Sequence, residues 1–308
     1  MVISATNITV VIPVFNRPLD LARALDSLVK QSIKSFFVIV VDDGSTDDIK
    51  SICDLYSHTL HLTYKRIDNS GGPARPRNVG IRAANTDWIS FLDSDDWWKS
   101  NRIEIILQEI KKHVDIDIFY HQLEIVTADY PIRFWSRKTI GHSIGNNPFV
   151  DLLVRGDALP NSSVTIKKIC FEKFGYLNES IDYASVEDYD CWLNMAANDC
   201  KFYYINKTLG FYYLSKFSIS LQTERSIHRN YLLLSKYLPK LDENNKQFAL
   251  GKFYYLAGSA MYADNNLEEA VKYFRKASSL VDLTLHFKRI LKILMIALGI
   301  RLAKSNKN

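Results

Sequence analysis

The octapeptide F-L-D-S-D-D-W-W, residues 91–98, decides how this chain is read. An apolar run over residues 88–92 stops abruptly at Asp93, Asp95 and Asp96. Taken as a strand, it delivers three carboxylates to the carboxyl end of a sheet, where open α/β sheets place their ligand sites. Asp93 and Asp95 are one small residue apart, so both can turn toward one hard cation. Oxygen ligands of this kind suit Mg2+ or Mn2+. A lone D-x-D is commonly a solvated acidic turn, so its meaning comes from its surroundings.

Working outward, residues 8–15 form a continuous apolar run, as expected of a strand buried on both faces. Asn16, Arg17 and Pro18 break it, and residues 19–31 then recur apolar at helical spacing. Residues 36–41 predict a second buried strand, ending in D-D-G-S-T-D, a turn and then a helix cap. A short helix over 49–56, a strand over 61–67, a Gly/Pro-rich loop over 69–76 and a helix over 77–84 lead to the acidic strand. Four alternations of strand and helix with short connections predict a doubly wound α/β fold, mostly parallel, with helices on both faces. Beyond it the pattern predicts helices at 101–113, 168–174 and 186–198 and strands at 116–127, 132–135, 162–166 and 201–214.

The 308 residues are 47% hydrophobic and 24% charged, a globular composition with room for one large core and a smaller annex. Lys288, Arg289, Lys292, Arg301, Lys304 and Lys307 exceed the whole net charge of +5 by themselves, so the body is near neutral. That argues against nucleic acid as a partner. The first residues lack the pattern of a secretory signal, and no apolar run approaches the ~18 residues of a membrane span. Cys53, Cys170, Cys191 and Cys200 show no C-x-x-C spacing and read as reduced, structural thiols of a cytoplasmic protein.

From Glu224 the chain reads as helix. Tyr254, Ala257, Gly258, Ala270, Phe274 and Ala277 fall at the small and aromatic positions of a tetratricopeptide hairpin, which must find a surface to pack on. Residues 285–304 predict an amphipathic last helix with a uniformly basic polar face. It either lies on an anionic membrane surface or caps the preceding pair.

With these pieces placed, residues 1–222 resemble the family 2 glycosyltransferases, which have the GT-A fold. The resemblance is carried by I-P-V-F-N at 12–16, V-D-D-G-S-T-D at 41–47, P-R-N-V-G at 76–80, F-L-D-S-D-D at 91–96 and V-E-D at 186–188. It implies a nucleotide-binding half, residues 1–98, an acceptor half, 99–222, and a helical region, 223–308, outside the shared core. It also implies roles. Pro13 and Phe15 would line the nucleoside pocket, Asp43 would accept from the base, and Arg77 would reach base or phosphates. Asp93 would contact ribose or assist the metal, and Asp95 would ligate the Mn2+ or Mg2+ that bridges the donor diphosphate. Asp188 would be the catalytic base of an inverting transfer, with Lys216 a candidate for closing on the diphosphate.

The chemistry required matches these residue types. A leaving diphosphate accumulates negative charge that a cation offsets, and the attacking hydroxyl must yield its proton to a carboxylate. For Glu187 and Asp188 the plainer reading is acid placed at a helix N-terminus. The Q-x-x-R-W motif of processive synthases is absent, which favours single additions. The resulting expectation is a metal-dependent enzyme. It would move one sugar from a UDP-linked donor to a lipid-linked oligosaccharide for O-antigen or capsule. It would work at the inner face of the cell membrane, with a homo-oligomer possible. A sugar nucleotidyltransferase and a non-enzymatic helical scaffold are the competing readings.

Overall fold

A computed structural model describes residues 7–127, 139–214, 224–277 and 283–297. They cluster into two compact units, one drawn from Met1–Pro148 and Asp157–Ser215, the other from Phe149–Gly156 and Lys216–Asn308.

The first unit opens with strand β1 (Ile8–Val14), helix α1 (Pro18–Val29), β2 (Phe37–Asp42), α2 (Ile49–Tyr56), β3 (His61–Arg66), α3 (Ala74–Ala83) and β4 (Trp88–Phe91). These elements follow the predicted alternation. The difference is at α3, which begins three residues early: Pro76 sits in its first turn, where a missing N–H costs nothing. The chain continues through the two-residue β5 (Trp97–Trp98), α4 (Arg102–Lys112), β6 (Ile118–Thr127) and β7 (Thr139–Ile140). Helix α5 (Pro148–Arg155) clusters with the other unit. A 3-10 turn at Asn161–Ser163, then β8 (Thr165–Lys167), α6 (Lys168–Phe174), α7 (Glu187–Ala197) and β9 (Phe202–Leu214) complete the unit. The strand expected at 132–135, and Lys216, lie outside the described residues.

All nine strands join one sheet in the order β3-β2-β1-β4-β8-β6-β9-β5, with β7 alongside β6. The first four are parallel, β8 runs antiparallel to both its neighbours, and β9 returns parallel to β6. Successive strands therefore run outward to β3 from one side of β1 and to β4 from the other. The crevice at the carboxyl ends of β1 and β4 is the switch point where such sheets bind ligands. One sheet face buries Ile8, Val10, Ile12 and Val14 against Leu21, Leu25 and Leu28 of α1, Cys53 of α2 and Ile106 and Ile110 of α4. The opposite face carries α3, which approaches Val11 at Gly80, and α6 and α7, whose Phe171 and Trp192 pack on Phe91. The four cysteines are free and buried.

The second unit contains α8 (Glu224–Tyr237), α9 (Glu243–Ala263), α10 (Leu267–Lys276) and α11 (Leu283–Ala297). Helix α9 starts well before the predicted hairpin because Asp242 caps it, accepting from Asn245 N at 2.9 Å. Ala257, Ala270, Phe274 and Ala277 are buried, and Ile293 and Ile296 of α11 cover that small core. One expectation is overturned. Two basic residues of α11, Arg289 and Lys292, face the other helices and not the outside. The outward face of this helix is apolar: Phe287, Leu291 and Leu294 are 69%, 59% and 51% exposed.

Candidate active site

The site is built where β1, β2 and β4 end. Past β1, Asn16 adopts a left-handed φ of 51°, and its side-chain oxygen accepts from Thr46 N (2.8 Å) and Asp47 N (3.3 Å). This clasp ties the end of β1 to the loop after β2. It leaves Phe15 46% exposed at the rim, while Pro13 is buried within the strand. In that loop the paired aspartates divide. Asp42 is fully buried and bonded to Ser45 N, Tyr64 Oη and Arg66 Nη1, so it is structural. Asp43 faces the loop after β3, accepting from Ser70 N (3.0 Å) and Ser70 Oγ (2.8 Å). Burial pushes the Asp43 carboxyl above its usual range, and the Ser70 bonds hold it partly down. Gly44 permits this packing: its φ is +77°, and a Cβ there would lie 2.6 Å from Asn69 N.

Arg77 is the hub of the site. Helix α3 lies against β1 because Gly80 has no side chain; a Cβ would come within 2.4 Å of Val11. That closeness lets Arg77, only 4% exposed, span from α3 to two other elements. Its Nη2 donates to Asp93 Oδ1 and its Nη1 to Glu187 Oε1, both at 2.6 Å. Burial alone would favour the neutral guanidine, but Asp93, Glu187 and Asp188 overcome it and raise its pKa. The adjacent Asn78 donates to Leu177 O and Glu179 Oε1 and accepts from Leu177 N. P-R-N thus ties α3 to Asp93 after β4, to Leu177 and Glu179 after α6, and to Glu187 of α7.

At the end of β4, Asp93 is placed by three more contacts. Its N–H donates to Ser162 Oγ (3.0 Å), its Oδ1 accepts from Asn161 Nδ2 (3.1 Å), and Trp98 Nε1 fixes the same turn through Ser162 O. Below that turn, fully buried Arg102 donates to Ser163 O, Thr165 Oγ1, Ser90 Oγ and His121 Nε2. Burial pushes its pKa down, and burial together with the Arg102 charge keeps His121 neutral. Asp95 is met by Arg17: Nη1 donates to Oδ2 at 2.6 Å. Arg23 donates to Asp95 O and lies between the Trp97 and Tyr213 rings. Burial, then the neighbouring Asp93, raise the Asp95 pKa against the pull of Arg17. Asp96 is buried, accepts from Tyr213 N, and is raised further by burial and by Asp93 and Asp95.

Helix α7 presents its first turn to this cluster, with Glu187 buried and Asp188 next to it. Asp188 keeps part of its surface, but its carboxyl is enclosed by protein. That burial comes first, and Glu187 and Asp157 add to it; together they hold the carboxyl well above its usual range, against Arg77 and the Tyr189 N–H. A carboxylate tuned upward near a cleft is suited to taking a proton. Glu187 Oε2 and, against Asp93, Asn161 Oδ1 are buried without a hydrogen-bond partner among the described residues.

The structure therefore bonds Arg77 to Asp93 and Glu187 and sets Asp188, next in sequence to Glu187, within electrostatic reach of Arg77, with Asp95 on the Asp93 side. Pro13, Phe15 and Asp43 line up along the adjoining ends of β1 and β2. The guanidinium of Arg77 is committed to two carboxylates, so it braces the site in this structure. Sequence reasoning took Arg17 only as part of a strand break, and missed Arg23 and the roles of Asn161 and Ser162. The last two reach Asp93 across almost seventy residues and left no local signal.

The sheet order and the carboxylate cluster at its switch point define a GT-A fold. Residues 9–151 match the family model Glycosyl transferase family 2, so this stretch is similar to that family. An uncharacterized glycosyltransferase of Haemophilus influenzae is 27% identical over 270 residues, 87% of this chain and 88% of the relative. Glycosyltransferase GlyG of Streptococcus pneumoniae is 34% identical over 114 residues, 36% of this chain and 37% of the relative. Among solved structures, S. aureus TarS 1-349 in complex with UDP superposes with a TM-score of 0.63 at 20% identity, covering 96% of this chain and 90% of that one. Mannosyltransferase PcManGT from Pyrobaculum calidifontis, in complex with GDP-Man and Mn2+, gives 0.55 at 14%, covering 97% and 88%.

Proposed function

We propose that this enzyme transfers one sugar, with inversion, from a UDP-linked donor to a lipid-linked saccharide in the synthesis of O-antigen or capsule. The observation that carries the transfer is the Arg77 bridge. One side chain fixes Asp93 at the donor end of the sheet and Glu187 beside Asp188, so donor and acceptor machinery share a frame. A donor diphosphate is supported by the UDP and UDP-GlcNAc complexes of the TarS neighbour. The nucleoside lies against Pro13 and Phe15, and the base meets Asp43. The acceptor hydroxyl gives its proton to Asp188 as it attacks the anomeric carbon from the face opposite the diphosphate.

The residues fit a divalent cation. Burial and mutual repulsion raise Asp95 and Asp96, a crowding of hard oxygens that positive charge relieves. No three His, Cys, Asp or Glu side chains among the described residues form a ready metal cage. A Mg2+ or Mn2+ in such a site is held by one or two carboxylates and completed by the donor phosphates. Asp95, with Asp93 assisting, would hold it, and the bound ion would supply Lewis-acid stabilisation of the departing diphosphate. No described helix is long and apolar enough to cross a membrane, and a lipid-linked acceptor is met at the inner leaflet. The test is a panel of sugar nucleotides assayed for hydrolysis with and without Mn2+, followed by transfer to lipid-linked acceptors. Cleavage of a nucleoside triphosphate in the presence of a sugar 1-phosphate, without hydrolysis of any sugar nucleotide, would instead identify a nucleotidyltransferase.

A further inference from the structure

Helix α11 turns two cations inward beside Ile293, Met295 and Ile296, and leaves a second apolar stripe outside. Phe287, Ile290, Leu291 and Leu294 are exposed, 37% or more each, at the i, i+3, i+4, i+7 spacing of a single helical stripe. The inward side carries cations. Arg289, 7% exposed, donates to Phe274 O at 3.1 Å, and Lys292 donates to Ser259 Oγ at 2.8 Å while its ammonium lies 5.0 Å from the Tyr255 ring centroid. Burial lowers the pKa of both, and Lys288 lowers that of Lys292 further. These two residues anchor α11 to α9 and α10, and leave the outward face to apolar side chains.

We infer that this stripe is a binding surface for an anionic phospholipid bilayer. Interfacial helices bury such a face about 5–10 Å into the headgroup boundary. Lys288 is exposed next to Phe287, and the sequence of residues 283–308 contains no Asp or Glu, so no carboxylate of this segment opposes an anionic surface. A second copy of the chain fits less well. The stripe spans about 12 Å of helix, whereas a stable protein interface buries at least about 1,000 Å². The inference deepens the reading of a lipid-linked acceptor, and its test is independent of it.

Full-length protein is sedimented with vesicles of phosphatidylcholine, with and without phosphatidylglycerol. The parent should pellet with the anionic vesicles. Phe287→Ser/Leu291→Ser should need about tenfold more lipid for half-maximal pelleting, because two partly buried apolar side chains are lost. Lys288→Gln should weaken pelleting less and flatten its dependence on phosphatidylglycerol. Hydrolysis of a soluble sugar nucleotide should be unchanged in all variants. Leu294→Ser gives a second reading with a smaller change in packing. The inference is overturned if the parent stays in the supernatant, or if the double variant and Leu294→Ser both pellet like the parent. It is also overturned if the parent is a dimer that the double variant splits, which assigns the stripe to a second copy. Loss of pelleting with hydrolysis intact supports it, and hydrolysis absent from the parent refutes only the transferase reading.

Discussion

Arg77→Met removes the cation that two carboxylates share. Arg77 is 4% exposed and the Glu187 side chain 3%, so water cannot replace the lost bond to Glu187. The Asp93 side chain is 25% exposed and regains some hydration, so most of the cost falls on Glu187. Breaking a buried pair by deleting one partner typically costs about 3–5 kcal/mol. For a domain of this size that lowers melting by on the order of 10 °C. The assay is urea and thermal unfolding followed by tryptophan fluorescence, since buried Trp88 and Trp192 both belong to this unit. The double variant Arg77→Met/Glu187→Leu should recover most of the loss, because an apolar pair of similar volume is often neutral. Refutation would be Arg77→Met within about 1 kcal/mol of the parent while donor binding collapses. Arg77 would then be a ligand-binding group first, as the family resemblance implies, and only incidentally a brace.

Asp95→Ala should abolish metal-dependent hydrolysis with melting preserved; near-normal rates, or a parent indifferent to chelator, would exclude the metal role. Arg17→Gln frees Asp95 from an ion pair that is part-exposed, worth about 0.2–1 kcal/mol, so Mn2+ should bind up to roughly fivefold tighter without donor. Electron paramagnetic resonance of free Mn2+ checks this, and unchanged or weaker binding sinks it. Asp188→Asn should cost about 10²–10⁴-fold in transfer while donor binding persists. Because the folded-state pKa of Asp188 is raised, parental stability is highest below the usual carboxylate range and falls as pH rises through the raised value. The Asn variant should therefore be the more stable protein at neutral pH, with the difference closing on acidification. Equal stability at all pH values would show that the Asp188 carboxyl is not perturbed.

Much of the first unit was legible because its signals are local. Continuous apolar runs marked β1, β2 and β4, and α2 and α6 match their expected spans residue for residue. The short β5 was hidden inside the acidic motif itself, since two residues carry no periodicity and Trp97–Trp98 becomes a strand only by pairing with Phe211 and Gly210 of β9. The site divides the same way. Motifs located Asp43, Asp93, Asp95 and Asp188, each at a strand or helix end. The partners that orient them were not readable, because Asn161, Ser162, Arg17 and Glu187 act through contacts across the fold.

Helix α11 shows a different limit. Its sequence gives the sizes and angles of an apolar and a basic face, and burial of apolar area would ordinarily turn the first inward. Here the helical pair offers Phe274 O and Ser259 Oγ at the interface, acceptors that long cationic side chains can reach, with the Lys292 ammonium also over the Tyr255 and Phe274 rings. Ile293 and Ile296 then supply enough apolar contact to hold the helix, and the richer stripe is left outside. Orientation of an amphipathic helix is set by what its neighbours present, which no property of the helix alone contains. The same reasoning makes Lys292→Met informative. It removes a half-buried ammonium whose pKa is already lowered, keeps a side chain of similar length, and leaves the outward stripe untouched. Vesicle pelleting should therefore be unchanged, while any change in melting reports the α11 anchor alone; a variant that melts as the parent but no longer pellets would place Lys292 on the lipid side and overturn this orientation.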